Sequence, residues 1–397
     1  MNSRDLLLKH LQAGNVAEAI KICFAEIKKD KPEEVFYASL CEIYVKSKEN
    51  ESGLRYVQEG IRHYPGSSSL WNLFGLLLRN VSKLDEACRA FEKATSCKPT
   101  TVQAYYNLGR LQGEAMSFHR SEDIHKGIFG HINVSPPEYV VFSCFGEQGI
   151  IEDILSRLPS SVNQYCVDIG ASDGVTFSNA YSLFKKGWNG FCAEVRKLQH
   201  FELSYVLKEL PHHIICTNNY ITPLNVNRIL SANDVPKNIG FLTLDIDSYD
   251  YFVLAELLKE FRPALMCVEM NELFPPPIKF ALKYVDNIKG LIIGQSITML
   301  YELLKKFNYS IIGLEYNNVF VLDNAYLDVD DLKTKYKSLT DMAAYKKGIV
   351  EKEDWELKMP WNREKLSKIW QMSPKERYLS LKQLIDRHPG MYEFSEN

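Results

Sequence analysis

The sequence has no long apolar run. Nowhere in its 397 residues does an uncharged hydrophobic stretch approach the roughly 18 needed for a membrane-spanning helix, so no span is expected. The opening stretch, MNSRDLLLKHLQAGNVAEA, has no extended hydrophobic core of the secretory type, so no signal peptide is expected and the chain reads as cytoplasmic. An excess of one charge is also missing. Lys and Arg number 47 against 50 Asp and Glu, a net charge of −3, which removes any global basic field for nucleic acid or anionic lipid. The nine cysteines stand singly, without a CxxC or CxxxxC pair. That odd, unpatterned set excludes an obvious disulfide framework or zinc site and fits reduced, buried thiols. The sequons at Asn133-Val134-Ser135 and Asn308-Tyr309-Ser310 are then incidental. What is present is an ordinary globular composition, 46% hydrophobic and 24% charged, in a chain long enough for two domains.

The first third repeats. Trp71, Phe74, Gly75, Leu78, Ala87, Phe91, Ala94 and Pro99 follow the tetratricopeptide pattern of bulky and small residues on two helices with a proline stop. Displaced back by 34 residues, the same slots hold Tyr37, Leu40, Cys41, Tyr44, Gly53, Val57, Gly60 and Pro65. Displaced forward, they hold Tyr105, Leu108 and Gly109, and GNVAEAIKICFAEI is an earlier, poorer copy. The small residues stand where paired helices must approach closely. Residues 1–115 are therefore expected to form an all-α solenoid, offering a face either to a protein partner or to a second copy of the chain. Residues 116–138 lose the repeat, end in a double proline and read as a linker.

From residue 139 to 327 strands alternate with helices. YCVDIG, GFCAEV, HHIICTN, GFLTLDID and PALMCVEM are strand-like runs with helical segments between them, which implies a parallel sheet. YSIIGLE and NVFVLD are separated by only a few turn-forming residues and must pair antiparallel. A parallel α/β sheet closed by an antiparallel hairpin distinguishes a class I, Rossmann-like methyltransferase domain from a plain dinucleotide-binding fold. Residues 328–397 read as a helical extension whose Trp355, Trp361 and Trp370 dock on that domain or complete an acceptor site.

Ligands of such sheets bind beyond the carboxyl ends of the strands. The first strand runs into Asp168, Gly170, Ala171, Ser172, Asp173 and Gly174; Glu194 follows 20 residues after Gly174, and Asn218 ends the third strand. The glycine spacing is G-x-x-x-G and not G-x-G-x-x-G, which disfavours a pyrophosphate ligand. Acidic Asp168 and Asp173 suit a ligand with an ammonium and a sulfonium, as S-adenosylmethionine has, and Glu194 is placed to accept both ribose hydroxyls. Asp245 borders the same donor site.

The segments FSCFGEQGIIEDIL, VDIGASDG, GWNGFCAEV, NYITPLNVNRIL, LTLDIDSYDYFV, RPALMCVEMN and GQSITMLYELLKKFNYSIIGLEYNNVFVL fall in order in a chain that here resembles the FkbM-type methyltransferases. The resemblance spans nearly half the protein, from about Phe142 to Leu327. It implies an S-adenosylmethionine-dependent O-methyltransferase with sugar or natural-product hydroxyls as its usual substrates. Ser172 stands where many relatives carry glycine.

FLTLDIDSYD places three aspartates within six positions. Asp250 is expected to cap the next helix. Asp245 and Asp247 share strand parity and should face one way. Either Asp247 or Asp245, with Glu269, acts as the catalytic base, or Asp245, Asp247, Glu269 and Asn271 hold Mg²⁺ or another divalent cation, which relieves carboxylate repulsion and acidifies a bound hydroxyl. Related metal-dependent sugar methyltransferases often carry a histidine shortly after the first aspartate; Ser248 and Tyr249 occupy that region here. Glu147 and Gln148 are further candidates at the border of the donor pocket, while His212-His213 reads as an ordinary turn. NELFPPPIKFALKY is a proline-stiffened excursion whose Phe274 and Tyr284 would stack on a sugar if it is an acceptor lid. The expectation is an O-methyltransferase for a sugar or glycan hydroxyl. The alternatives are a repeat scaffold carrying an idle methyltransferase fold, and a protein or peptide methyltransferase.

Overall fold

In the computed structural model, helices begin at Val16, Asn50 and Leu84 and at Glu34 and Ser68, so the 34-residue frame is a frame of helix starts. Residues 2–97, 103–104, 107–108, 111, 142–208 and 210–396 are described. The six helices among those of the N-terminal region are α1 (Ser3–Gln12), α2 (Val16–Ile27), α3 (Glu34–Ser47), α4 (Asn50–His63), α5 (Ser68–Asn80) and α6 (Leu84–Ser96). Local signals start them. Asn2 and Asp5 form a capping box at α1, and the Ser67 hydroxyl accepts the Leu70 N–H at 3.1 Å at α5. Lys48, left-handed at φ 60°, ends α3. Packing depends on the small residues. A Cβ on Gly53 would fall 2.6 Å from a Leu77 methyl, and one on Gly75 would fall 2.4 Å from the Phe91 ring. Leu108 is buried, whereas Pro99, Tyr105, Gly109 and the expected linker 116–138 lie outside the described residues.

The chain divides into two compact units, Met1–Val140 and Val141–Asn397. The second holds β1 (Tyr165–Ile169), β2 (Asn189–Ala193), β3 (Ile214–Thr217), β4 (Phe241–Leu244), β5 (Leu265–Glu269), β6 (Ile278–Leu282), β7 (Tyr309–Glu315), β8 (Asn318–Asp323) and β9 (Tyr392–Glu396). Seven form one mixed sheet in the order β3-β2-β1-β4-β5-β8-β7. The first five run parallel, with helices in their crossovers; β8 lies antiparallel to both β5 and β7. β7 and β8 are joined by Tyr316-Asn317, with Tyr316 at φ 54°, and a link that short permits only antiparallel pairing. Alternation along the strands puts Val167, Ile169, Phe191, Leu242, Leu244, Met266, Val268, Val319 and Val321 into one core with Val253, Leu257, Leu300 and Leu304 of the covering helices. Strand order reverses beside β1, between β2 and β4, which opens a crevice at their carboxyl ends.

The residues beyond 328 pack into this same core through Tyr345, Ile349, Met359, Leu366 and Leu381. Trp355 meets Trp370 edge-on at 4.6 Å, and Trp361 donates its indole N–H to Glu272 at 3.1 Å. β9 pairs antiparallel with β6, Leu282 facing Tyr392. The excursion expected as a lid is therefore a strand with a partner. Phe274 is fully buried and stacks on Phe280 at 3.8 Å, which removes it from any sugar-stacking role, and Tyr284 packs edge-on against Tyr249 at 4.9 Å. No helix among the described residues is long and apolar enough to cross a membrane.

Because Gly75 faces the Phe91 ring at less than van der Waals distance for any Cβ, Gly75→Ala is expected to cost about 1–3 kcal/mol, the scale of overpacking. Urea unfolding of the full chain followed by far-UV circular dichroism should show the helical transition at lower denaturant. An unmoved midpoint would mean that α5 and α6 do not pack this closely.

Candidate functional site

A cavity of about 460 Å³ opens at the carboxyl ends of β1, β2 and β4. Gly170 makes it possible. Its φ is 97°, and a Cβ there would lie 1.6 Å from the Asp245 carbonyl oxygen, so no other residue fits. The Gly170 and Ala171 N–H groups donate to the Ala193 carbonyl at 3.0 and 3.1 Å, and the Asp245 N–H donates to Ile169 at 3.0 Å, which ties the three strand ends together. Ser172, at φ 50°, takes a conformation that glycine would adopt without strain. Its N–H is given to Glu194 at 2.9 Å.

Glu194, only 3% exposed, is fully engaged. One oxygen accepts the Arg196 N–H and Nε–H at 2.8 and 2.9 Å; the other accepts Ser172 N–H and an Arg196 Nη2 donor at 3.2 Å. Glu194, Asp168, Gly170, Ala171 and Ser172 line the cavity with Asn179 and Tyr220. The buried Oδ1 of Asn179 finds no partner among the described residues.

Three of the expected donor-site residues stand behind this wall. Asp173 accepts the Val175 and Thr176 N–H groups at 3.0 and 2.7 Å and the Thr176 hydroxyl at 2.8 Å, so it builds the turn after the loop. A Cβ on Gly174 would meet a Leu203 methyl at 2.6 Å, which makes this glycine a packing requirement of the neighbouring helix. Asn218 donates to the Glu194 and Val195 carbonyls at 2.7 and 3.0 Å and fixes the backbone beneath Glu194. Each supports the wall without forming it.

Across the cavity, carboxylate oxygens of Asp245, Asp247 and Glu269 lie within 4.8 Å of one another. Strand alternation is not the cause, because β4 ends at Leu244. Asp247 turns through φ 53°, a strained value for a non-glycine residue. Asp250 holds that turn, its carboxylate accepting the Ile246 and Ser248 N–H groups at 2.8 and 3.1 Å. It therefore reaches back into the loop and does not cap its own helix, whose N-cap position is Tyr249. Asn271 is also spoken for: it donates to the Ile293 carbonyl at 2.9 Å and accepts the Leu273 N–H at 3.1 Å, which leaves three carboxylates in the group and not four ligands.

Charge so gathered shifts the protonation of the site. Burial, then the charge of Asp245 and a hydrogen bond with it, pushes the Glu269 carboxyl well up. Asp245 opens to the cavity but is enclosed by protein elsewhere; it too is raised, by desolvation first, against the hydrogen bond to Glu269 that favours its ionised form. The two titrate as a coupled pair, each raised by burial and by the charge beside it. Asp168 is pushed up to about 7 by burial and then by Asp245 and Glu194.

The sequence did not disclose what holds Glu269. Asn317, in the β7–β8 turn, donates to its carboxylate at 2.6 Å, and buried Gln295 donates to its carbonyl. Asn318 donates to Glu147 at 2.7 Å and to Asn317 at 3.4 Å, so Glu147 is a buried anchor behind the acidic group. Gln148 accepts the Phe142 N–H at 2.9 Å; neither Glu147 nor Gln148 lines the cavity. In the sequence Asn317 falls between YSIIGLE and NVFVLD and Asn318 opens the second of these runs, so neither position signals a hold on a carboxylate, and Arg196 carries no motif.

No protein-family model matches the chain, and no curated protein matches it in sequence. Among solved structures it is similar to the crystal structure of MamA, at 19% identity and TM-score 0.28 over 32% of this chain and 77% of that one. It is similar also to the magnesium protoporphyrin IX methyltransferase ChlM from Synechocystis PCC 6803 with bound SAH, at 11% identity and TM-score 0.28 over 51% of this chain and 93% of that one. The mitomycin 7-O-methyltransferase MmcR matches at 10% identity and TM-score 0.27 over 65% and 73%. With TM-scores this low, the functional reading rests on the residues of the site.

A carboxyl raised to about 7 in the fold, against about 4 when unfolded, binds its proton more tightly in the native state. Its contribution to stability is complete below pH 4 and is lost as pH rises through 7. Asp168→Asn is therefore expected to flatten the decline in urea midpoint between pH 5 and pH 8. An identical decline in both proteins would show that Asp168 is not held protonated.

Proposed function

We propose that the second unit is an S-adenosylmethionine-dependent O-methyltransferase acting on a hydroxyl of a sugar or glycan, within the FkbM type that its sequence resembles. The observation that carries this reading is the pairing, across one cavity, of Glu194 on the β2 side with Asp245 and Asp247 beyond β4, behind which Glu269 completes the acidic group. The first suits a ribose diol; the second suits an acceptor hydroxyl that must lose a proton. About 460 Å³ lies within the range of small-ligand sites, and the acidic lining suits a cationic ligand.

When bound, S-adenosylmethionine supplies the activated methyl group. The chain's own residues position, exclude water and take the proton. The Gly170–Ser172 loop gives close backbone approach, and Glu194 holds the ribose edge once the Arg196 guanidinium, whose side chain is 58% exposed, gives way. On the other wall Asp247, the most strained of the three carboxylates, receives the acceptor proton at its side-chain oxygen. Asp245, Asp247 and Glu269 are the residues that would hold a divalent cation such as Mg²⁺; its positive charge would offset the repulsion and burial that raise the Asp245 and Glu269 carboxyls. Asn271 takes no part.

The helical N-terminal region is the proposed partner-binding or self-association module, and nine free cysteines fit a reducing compartment such as the cytoplasm. One observation favours the idle-fold alternative: Arg196 already fills the acceptor positions of Glu194. A peptide acceptor would place the repeats in substrate presentation.

Calorimetry with S-adenosylhomocysteine decides between them. Wild-type binding is expected, weakened at least about tenfold in Glu194→Gln by the loss of charge-assisted hydrogen bonds, and strengthened in Arg196→Ala. No binding by wild type or Arg196→Ala at millimolar ligand would leave the idle fold. In assays of methyl transfer to monosaccharides, glycans and peptides, Asp247→Asn should keep ligand affinity within about threefold and lose about a hundredfold or more in rate. A chelator should reproduce that loss, and Mg²⁺ or Mn²⁺ should restore it. Full activity in Asp247→Asn would remove this carboxylate from the mechanism.

A further inference from the structure

One row of side chains crosses the sheet just below the strand ends. Cys216 of β3, Cys192 of β2, Asp168 of β1, Thr243 of β4 and Cys267 of β5 are successive register partners. Register partners on parallel strands project to the same face, and neighbouring strands lie about 4.8 Å apart, inside the roughly 4.4–6.8 Å Cα separation that a disulfide spans. Cys192 and Cys216 are therefore placed for a covalent bond between their sulfurs.

Their surroundings divide the labour between them. Cys192 is fully buried. Cys216 is partly exposed and lines a second cavity of about 240 Å³, together with Ser204, Lys208, His212 and His213. The neighbouring Cys192 thiol, and to a smaller extent the Ser204 hydroxyl, draw the Cys216 thiol below its usual value against the opposing effect of burial. Burial, and then its role as donor to Cys216, holds the Cys192 thiol well up. An accessible sulfur whose thiol is drawn down thus sits beside a sulfur whose thiol is held up and sealed from solvent. That is the arrangement of an attacking and a resolving cysteine. The dihistidine that reads as a simple turn is part of the wall by which a small polar oxidant would enter.

We propose that Cys216 and Cys192 form a peroxide-sensitive dithiol site, in which hydrogen peroxide oxidises Cys216 and Cys192 closes a disulfide between β3 and β2. In the first step the Cys216 thiolate attacks one peroxide oxygen; an S–O bond forms, the O–O bond breaks and hydroxide leaves. In the second, Cys192 Sγ attacks Cys216 Sγ; the S–S bond forms, the S–O bond breaks, and the departing hydroxide leaves with the Cys192 proton as water. Two thiols lose two electrons and one hydrogen peroxide becomes two waters. The site stands on its own, whatever the larger cavity binds.

The test uses the full chain, treated with one to five equivalents of hydrogen peroxide, quenched with iodoacetamide and digested without reductant. A linked Cys192–Cys216 peptide is expected as the main product, reversible by dithiothreitol, with Cys216 consumed at least about tenfold faster than Cys144. Cys144 is exposed at the surface, but desolvation by its neighbours pushes its thiol up to about 11, which makes it the internal control. In Cys192→Ala, dimedone should label Cys216 and no linked peptide should form. The proposal is overturned if Cys144 is oxidised first while Cys192 and Cys216 stay reduced, or if Cys216 of the wild type oxidises without ever linking to Cys192. The wild-type arm decides even where the variant fails to fold.

Discussion

Of the glycines described, Gly170 has the least room for a side chain, because a Cβ there would lie 1.6 Å from the carbonyl oxygen of Asp245. β1 and β4 are neighbours where the strand order reverses, and their outgoing loops have to pass without a side chain between them. With glycine there, the loop after β1 folds over the end of β2, gives its next two N–H groups to Ala193 and Glu194, and leaves Asp245 free to turn into the cavity. Any Cβ at that point would separate the two walls. The donor side and the acidic side of the site are thus parts of one contact.

The acidic side is costly to keep. Three carboxylates converge there, with Asp168 and Asp250 buried close by, and among the described residues the neutral amide of Asn317 meets the Glu269 carboxylate while Gln295 holds the Glu269 backbone carbonyl. Amides orient an anion without neutralising it. The result is a group of acids held in place whose mutual repulsion a positive species would relieve. Glu194 is treated differently: Arg196 neutralises it from a flexible, exposed side chain that can be displaced.

Much of the fold was legible because it follows from periodicity. The 34-residue spacing of small and bulky residues marked the helix starts, and the short Tyr316-Asn317 link fixed the antiparallel hairpin. The edges of the site were legible for a similar reason: strand ends can be counted. What spacing cannot show is where a side chain turns once the strand has ended. Asp245 and Asp247 meet through a left-handed turn and not through alternation, Asp250 reaches backward, and Asn271, Asn218 and Asp173 use their polar atoms on nearby backbone. Phe274 looked available because its prolines suggested an excursion; a strand from far along the chain covers it. Asn317 and Asn318 act on Glu269 and Glu147 from a turn whose sequence records only its bend.

That distant strand also bears on the order of events in folding. β6 finds its partner in β9, more than a hundred residues downstream, while the parallel core from β1 to β5 is assembled from much nearer neighbours. Closing so long a loop is slow relative to local pairing. The segment between β5 and β6, which carries Asn271 and Glu272 and borders Glu269, is held at Asn271 by Ile293 and at Glu272 by Tyr345 and Trp361, and its far end at β6 is fastened when the last strand arrives. On a ribosome, the sheet would be built well before its acidic site is locked. A chain interrupted just before β9 would keep the seven-stranded sheet and most of the residues packed on it and leave β6 without its partner, so the final strand is in effect the clasp of that border.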